Sequence, residues 1–248
     1  MSLQISPEYL AIPCALTILL ILAIDRFHPL IPLFFPKKAD DIRKRLRGVV
    51  DERFEVVVEH LSLDLELRPP TTTVDFVLHF PMARHKQGEI ILSSKMTGKT
   101  IEKIQRAADH EIAHYVQHVM NPENVKPGTS IRDELSRSWM NLEWFVMRRM
   151  NKPLAEKAFT EGFAEYVSSI TSGPNELILR SIPHLYASRW RLVLSVTLPY
   201  ALGYLVYRTI AQNSSREKAI QIGLCGDALS WREEGRRAIR RQGGTFAV

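Results

Sequence analysis

The sequence predicts a mostly helical α+β fold, with a small β-sheet before a central helix and a membrane-anchor helix at the N-terminus. Three observations support this prediction. Apolar residues recur at helical spacing over much of the chain, two short β-branched segments precede residue 100, and an uncharged apolar run lies near the start. We therefore expect an N-terminal anchor over residues 1–36 and one globular domain over residues 37–248.

The uncharged run extends from Tyr9 to Ile24. It is slightly shorter than the roughly 20 residues that span a bilayer, but longer than the roughly 10–14 typical of buried helices. A cleaved signal peptide is one alternative, yet the only charge ahead of the run is Glu8 and large residues follow it. A core or interfacial helix is the other alternative. The pattern favours an uncleaved membrane anchor.

Basic residues follow the apolar run and set the expected orientation. Almost no positive charge precedes it, whereas the segment from Lys37 to Arg47 is densely basic. The positive-inside rule then places the chain after residue 37 in the cytoplasm, and the basic segment could rest on anionic headgroups. A second apolar stretch, Leu192 to Tyr207, would put the arginine-rich tail outside the cytoplasm if it also spanned. We expect it to be a buried helix instead.

Composition and charge exclude several classes of protein. The chain has 248 residues, of which 45% are hydrophobic and 24% charged, so it is neither disordered nor collagen-like. Its two cysteines form no disulfide framework. Part of the net charge of +6 lies in the tail from Arg232 to Arg241, which is either a solvated helix face or a surface for anions. No finger, RNP signature or basic-leucine heptad occurs, so a nucleic-acid partner is not expected.

Local patterns predict the order of helices and strands. Amphipathic spacing indicates a helix from Asp40 to about Leu63, and the segments TTTVDFVLHF and GEIILSS indicate two strands, with Pro81 ending the first. Thr100 is a suitable N-cap for the next helix, with Glu102 in its first turn. Further helices are expected at 101–120, 133–150 and 154–170, and two or three more complete the chain.

The helix expected at 101–120 carries the segment His110-Glu111-Ile112-Ala113-His114. Residues four apart on a helix differ by only about 40° around its axis, so both imidazoles project from one face. They could bind one metal ion at about 2.0–2.1 Å, and Glu111 beside them could take a proton from a metal-bound water. Zinc lowers the pKa of such a water to about 7, which suits hydrolysis at neutral pH.

Zinc needs a third protein ligand, which leaves a fourth position for water. Gln117 and Met120 stand where the metzincin pattern has Gly and His, so that class is excluded. His118 lies about 6 Å further along the helix axis than His114. We therefore expect His118 at the surface or behind the ligands rather than on the same ion.

The segment Thr160 to Tyr166 offers a better third ligand. It carries Glu161 and Glu165 four residues apart, on one face of the helix expected there. Glu161 would bind the metal. Glu165, one turn later, would accept the free N–H of a ligand histidine and fix its tautomer.

The two segments HEIAH and EGFAEY together resemble the gluzincins, the zinc peptidase clan that includes thermolysin and aminopeptidases with an NEGFA segment. Thr160 stands in place of that asparagine, and the gap between the two motifs is longer than in those aminopeptidases. The resemblance covers roughly residues 72–230, and it implies that the domain expected at residues 37–248 is a zincin-like zinc metallopeptidase domain. It assigns the zinc to His110, His114 and Glu161, with Glu111 as general base.

A weaker likeness lies downstream. Tyr200-Ala201-Leu202-Gly203 is similar to the Tyr-x-x-Gly of the same aminopeptidases, whose tyrosine hydroxyl helps to stabilise the tetrahedral oxyanion. The likeness implies a catalytic role for Tyr200. His184, Tyr186 and Tyr204 remain alternative donors, and Tyr200 could equally be a core aromatic.

The strand expected at Gly88 to Ile91 bears on specificity. The aminopeptidases bind the substrate amino terminus through a Gly-x-Met-Glu-Asn segment at the corresponding place, and this chain lacks it. In the clan this strand lies at the edge of the sheet and pairs with an extended substrate. The resemblance therefore implies an endopeptidase rather than an exopeptidase.

The sequence as a whole predicts a membrane-anchored, cytoplasm-facing zinc endopeptidase that acts on peptides or proteins, with Zn²⁺ as cofactor. One alternative is a catalytically silent, zinc-stabilised membrane scaffold or chaperone of the same fold, which would have no need of Glu111. Another is a basic membrane-surface or nucleic-acid-binding protein in which the HEIAH segment arose by chance. The substrate and the oligomeric state stay open.

Overall fold

The computed structural model of this chain describes residues 30–63, 67–77, 83–86, 88–123, 152–186 and 197–241; for residues 152–153, 183–186 and 239–240 it describes the backbone alone. Over these ranges the protein is mostly helical, with one three-stranded sheet. The strands are β1 (Thr71–Asp75), β2 (Ala83–Lys86) and β3 (Glu89–Ser93). The helices are α1 (Ile31–Phe34), α2 (Pro36–His60), α3 (Ile101–Met120), α4 (Lys152–Ser172), α5 (Glu176–Tyr186), α6 (Leu198–Asn213), α7 (Arg216–Cys225) and α8 (Ala228–Arg241).

The strand order of the sheet is β1-β3-β2, so β3 is the central strand. β1 pairs with β3 in parallel, with Thr72 opposite Ile90. β2 pairs with β3 in the antiparallel sense, with His85 opposite the same Ile90. The β3 side chains Ile90 and Leu92 are fully buried and belong to the core. This face of the sheet lies against α2 and α3, which contact β1 and β2 respectively.

Helix α2 packs against the sheet and against α3 because its apolar side chains form one stripe. The buried members of the stripe recur at helical spacing and include Ile42, Leu46, Val50, Phe54 and Val57. The helix begins at Pro36, four residues before the predicted start at Asp40. Proline suits the first turn of a helix, where its missing N–H has no intrahelical partner in any case.

Helices α4 and α6 cross with their backbones in contact at two glycines. A Cβ atom placed on Gly162 would lie 2.2 Å from the Cα of Gly203, and one on Gly203 would lie 1.9 Å from the carbonyl oxygen of Ala158. Helix α6 is buried along most of its length. This confirms the prediction of a buried helix for the second apolar stretch, although the described helix begins at Leu198 and residues 192–196 lie outside the described ranges.

The predicted membrane anchor over residues 1–36 is the part of the expected fold class that is corrected. In the described ranges, no helix is both long enough and apolar enough to cross a membrane. The described end of this segment forms only the short α1, and α2, at 25 residues, carries many charges. The run from Tyr9 to Ile24 lies outside the described residues. The predicted membrane-anchored location with a cytoplasmic catalytic domain depended on the anchor and is not supported either.

The sheet also differs from its prediction in one strand. The strand expected at residues 88–94 corresponds to β3. The first predicted strand corresponds to β1, which pairs in parallel with β3 and is shorter than predicted, ending at Asp75. β2 was not predicted, because its sequence ARHK is short, polar and basic. Its presence makes β3 central, so the expectation that residues 88–91 form an edge strand was wrong. The helix predicted at 133–150 lies outside the described residues.

Candidate metal centre

Helix α3 carries the HEIAH segment in a fixed position. Thr100 occupies the predicted N-cap position, and the helix runs for 20 residues to Met120. At the other end, the side-chain amide of Gln117 donates a hydrogen bond to the carbonyl of Gly223 at 2.9 Å, and the amide of Asn121 donates to the carbonyl of Gly226. Both bonds join the end of α3 to α7 and its C-terminal turn.

A buried ion pair fixes the middle of α3. Arg53 of α2 makes two hydrogen bonds of 2.7 Å to the two carboxylate oxygens of Asp109, the residue before His110. The hydroxyl of Thr171 on α4 donates to the same carboxylate at 2.6 Å, and that of Ser172 does so as well. One carboxylate therefore links three helices directly behind the metal-binding motif.

His110, His114 and Glu161 come together as the sequence predicted. The two histidine Nε2 atoms lie 3.2 Å apart, and the Oε2 of Glu161 lies 3.3 Å from the first and 3.2 Å from the second. All three side chains keep some contact with solvent. The group could hold a metal ion.

The shape of this group fits a tetrahedral ion. Three ligand atoms bonded to such an ion at about 2.0–2.1 Å lie about 3.3 Å from one another. The three observed separations are 3.2, 3.2 and 3.3 Å, which form the base of that tetrahedron. Two imidazole nitrogens and a single carboxylate oxygen leave a fourth position open, as catalytic zinc sites require.

The electrostatics of the group also favour a cation. Burial by itself lowers the pKa of His110, but the hydrogen bond to Glu161 and the neighbouring carboxylates raise it to about 9. Burial would raise the pKa of Glu161, yet the charges and hydrogen bonds of His114 and His110 hold it well below its usual range. The carboxylate is therefore ionised and faces two imidazoles, so a positive charge between them is stabilised.

Glu111 lies next to His110 on α3 and is almost fully buried. Burial raises the pKa of its carboxyl group above the usual value. His110, His114 and the backbone N–H of His85 oppose this shift, while Glu161 adds to it. A carboxylate with a raised pKa is a stronger proton acceptor than an ordinary one, and this carboxylate interacts with both histidines of the group.

Glu165 lies on the Nδ1 side of His110 but beyond hydrogen-bond distance, so the expected hydrogen bond from a ligand histidine stays a prediction. Its Oε2 lies 3.7 Å from the Nδ1 of His110, the ring nitrogen that faces away from Glu161. Burial raises the pKa of Glu165, whereas His110 and Arg106 lower it. Its second oxygen and one guanidinium nitrogen of Arg106 are both buried and have no hydrogen-bond partner among the described residues.

Tyr200 lies against His110: the two rings stack, with centroids 5.8 Å apart and planes at 24°. Tyr204, one turn further along α6, lines a separate cleft with Tyr166 and Arg208. The side chains of the two remaining alternatives, His184 and Tyr186, lie outside the described part of the structure. Of the two candidates whose side chains are described, Tyr200 is the one that stacks on a histidine of the group.

The sequence missed His85 on β2. Its ring lies 5.6 Å from the ring of His118 and 6.0 Å from that of Tyr115, measured between centroids. Its Nε2 accepts a hydrogen bond of 3.1 Å from the backbone N–H of Gly88. His118 itself is not one of the three grouped ligands, as expected. No periodic pattern marked His85, because β2 was not predicted.

The Arg53–Asp109 pair was also missed, although the sequence carried a signal for it. Arg53 occupies a position on the apolar stripe of α2, between Val50 and Phe54, where a buried charge requires a partner. The partner lies 56 residues further along the chain. A single sequence gives no indication of which acid that is.

Comparison with known proteins found no relative of this chain. No protein-family model, no curated protein and no solved structure matches this chain. The gluzincin resemblance rests on the two short motifs and stays a prediction.

Proposed function

We propose that this protein is a zinc-dependent peptidase of the gluzincin type that cleaves internal peptide bonds. One observation carries the proposal: His110, His114 and Glu161 offer three ligand atoms at mutual distances of 3.2–3.3 Å, beside the buried Glu111. A structural metal site has no need of a general base between its ligands. The position of Glu111 therefore favours an enzyme over a zinc-stabilised scaffold.

The donor set favours zinc among the common metals. Calcium and magnesium prefer oxygen ligands, whereas two imidazoles with one carboxylate suit zinc in hydrolases. The same three donors also occur around iron(II) in oxygenases. Glu111 supports the hydrolytic assignment, because its raised pKa gives a proton acceptor where a hydrolase needs one.

Each residue of the centre has a distinct part in the proposed reaction. When bound, zinc supplies a Lewis acid and makes a water molecule acidic at neutral pH. Glu111 would accept a proton from the attacking water as its oxygen adds to the peptide carbonyl, and would return that proton to the leaving amine as the C–N bond breaks. Tyr200, stacked on His110, is suited to donate a hydrogen bond to the carbonyl oxygen as charge develops on it. Glu165 orients His110 through Nδ1.

The substrate is proposed to be an extended peptide that binds along the sheet. The backbone N–H of His85 interacts with Glu111, so β2 passes beside the general base. β2 is paired on one side only, with β3, in the described sheet. A peptide that adds to its open edge would run past the three proposed ligands, which suits cleavage of internal peptide bonds.

Replacement of Glu111 tests the proposal. In the zinc-loaded full chain, Glu111→Gln is expected to lower kcat on a fluorescence-quenched peptide library by about 10²–10⁴-fold, while the zinc content is unchanged. Glu102→Gln, a fully exposed change on the same helix, is the control and should retain activity. Full activity of Glu111→Gln would contradict the assigned base. No hydrolysis by the zinc-loaded wild type would favour the scaffold.

A further inference from the structure

The open edge strand β2 carries two cations on the face that points away from the core. Its four residues alternate in exposure: Ala83 and His85 are buried or partly buried, and Arg84 and Lys86 are exposed. His85 packs its ring against α3 through Tyr115. Arg84 and Lys86 therefore project from the opposite, solvent-facing side of the strand.

Neither cation has an ion-pair partner among the described residues. The residue opposite Lys86 on β3 is Glu89, which is the acid nearest to it in the sheet register. Glu89 instead accepts a hydrogen bond from the hydroxyl of Thr73 on β1. The residue opposite Arg84 is Ile91, which carries no charge. Within the described ranges, both positive charges are therefore available to a bound molecule.

The geometry of strand pairing fixes where these charges act. The backbone N–H of His85 interacts with Glu111 on α3. Along a strand, the backbone groups of successive residues point to opposite edges, so we place those of Ala83 and His85 on the edge away from β3. A peptide strand on this edge places alternate side chains on the same face as Arg84 and Lys86. Cross-strand neighbours on one face are close enough for opposite charges to attract each other.

We propose that Arg84 and Lys86 select peptide substrates with two acidic side chains at alternate positions. This inference rests on the proposed function and goes further by naming the substrate class. The two cations lie about 7 Å apart along the strand, the spacing of residues i and i+2 in an extended peptide. An acidic-x-acidic segment on β2 would pair with both charges, while a basic-x-basic segment would be repelled.

Matched peptides test the charge selection. Three fluorescence-quenched series share one core sequence and carry Glu-x-Glu, Gln-x-Gln or Lys-x-Lys, moved one position at a time along the peptide. We expect the zinc-loaded full chain to show a kcat/KM about tenfold higher for the best Glu-x-Glu peptide than for its Lys-x-Lys counterpart, since each partly exposed pair contributes modestly. The ratio should decrease at high salt.

The double change Arg84→Glu with Lys86→Glu should invert this order, and Arg84→Gln with Lys86→Gln should abolish it. The control is Lys44→Glu with Arg45→Glu, which makes the same change in net charge on the exposed side of α2 and should leave the ratio unchanged. A second readout needs no turnover. Labelled Glu-x-Glu peptide should bind zinc-loaded Glu111→Gln more tightly than Lys-x-Lys peptide in fluorescence anisotropy, and the β2 charge reversal should remove that difference.

The outcomes separate this inference from the proposed function. Hydrolysis with the same peptide preference in the wild type and the β2 variants would overturn charge selection alone. In that case Arg84 and Lys86 would serve only to prevent the edge strand from pairing with a strand of another protein molecule. A change of preference by the α2 control as large as that by the β2 variants would overturn it too. Failure to hydrolyse or bind any peptide would overturn both.

Discussion

Gly162 and Gly203 lie against each other where α4 crosses α6, so closely that a Cβ on Gly162 would be 2.2 Å from the Cα of Gly203. Gly162 directly follows the proposed ligand Glu161, and Gly203 lies three residues after Tyr200. The crossing therefore sets the separation between the helix that supplies the third ligand and the helix that supplies the stacked tyrosine. The short glycine-containing motifs have a packing role beside their chemical one.

Gly203→Ala should destabilise the protein and disturb the centre. The added methyl group would meet the backbone of Ala158 and Gly162, neither of which can move aside as a flexible side chain would. We expect a loss of about 1–3 kcal/mol in the free energy of unfolding, measured by denaturant titration. Gly48→Ala is the control: a Cβ there meets nothing within 4 Å, and alanine in a helix should add about 0.5–1 kcal/mol. Unchanged stability of Gly203→Ala would refute the close crossing.

Asp109→Asn should be among the more damaging conservative changes in the chain. It keeps the shape of the side chain but leaves the buried Arg53 without a counter-ion. We expect a loss of about 3–5 kcal/mol by denaturant titration. Asp40→Asn, which breaks the exposed pair with Arg43, should cost no more than about 1 kcal/mol. Similar losses in the two variants would show that the Asp109 carboxylate does not link the three helices.

Glu165→Gln should weaken zinc binding without removing a ligand. The carboxylate faces the Nδ1 of His110, and loss of its charge reduces the support for that ring. We expect the zinc Kd to rise by about 10–100-fold in competition with a chromophoric chelator. Glu176→Gln, an exposed change on α5, should leave the Kd unchanged. An unaltered Kd in Glu165→Gln would remove the proposed orienting role.

Acid should destabilise the fold through His85. Burial, with smaller contributions from His114 and His118, lowers the pKa of His85 to about 4 from its usual value of about 6.5. Below about pH 6.5 His85 is protonated in the unfolded chain, whereas in the folded chain it stays neutral until about pH 4. Above about pH 6.5 the ring is neutral in both the folded and the unfolded chain, so His85 does not lower the free energy of unfolding. As the pH falls from there towards 4, the unfolded chain binds the proton and the free energy of unfolding decreases.

The variant His85→Gln isolates this contribution. Its denaturation midpoint should fall less steeply than that of the wild type between about pH 6.5 and pH 4, with both proteins kept metal-free. Carboxylates that titrate in the same range affect both proteins alike and cancel in the difference. Parallel curves for the two proteins would contradict the lowered pKa.

The group formed by His110, His114 and Glu161 was more predictable from sequence than the rest of the structure. Helical spacing alone places His110 and His114 on one face, and the separations around Glu161 agree with the ligand set implied by the motifs. The resemblance also led to Tyr200, whose stacking on His110 is a contact between residues far apart in sequence.

The errors have local physical causes. The strand β2 escaped prediction because it has only four residues, three of them basic or polar, and carries no clear apolar alternation. The expectation that β3 is an edge strand came from the gluzincin resemblance and was wrong because β2 pairs with it. The membrane anchor was inferred from one apolar run and has no counterpart among the described helices. The Arg53–Asp109 pair joins distant parts of the chain, which periodicity within a window does not reveal.

Elemental analysis of the purified full chain, with Glu161→Ala beside it, tests the central claim most directly. Loss of one corner of the ligand triangle should prevent stable binding, whereas Glu102→Ala on the exposed side of α3 should not. We predict one zinc ion per chain in the wild type and in Glu102→Ala, and far less than one in Glu161→Ala. A wild type without zinc under chelator-free conditions, or a zinc content unaffected by Glu161→Ala, would contradict the proposed metal centre.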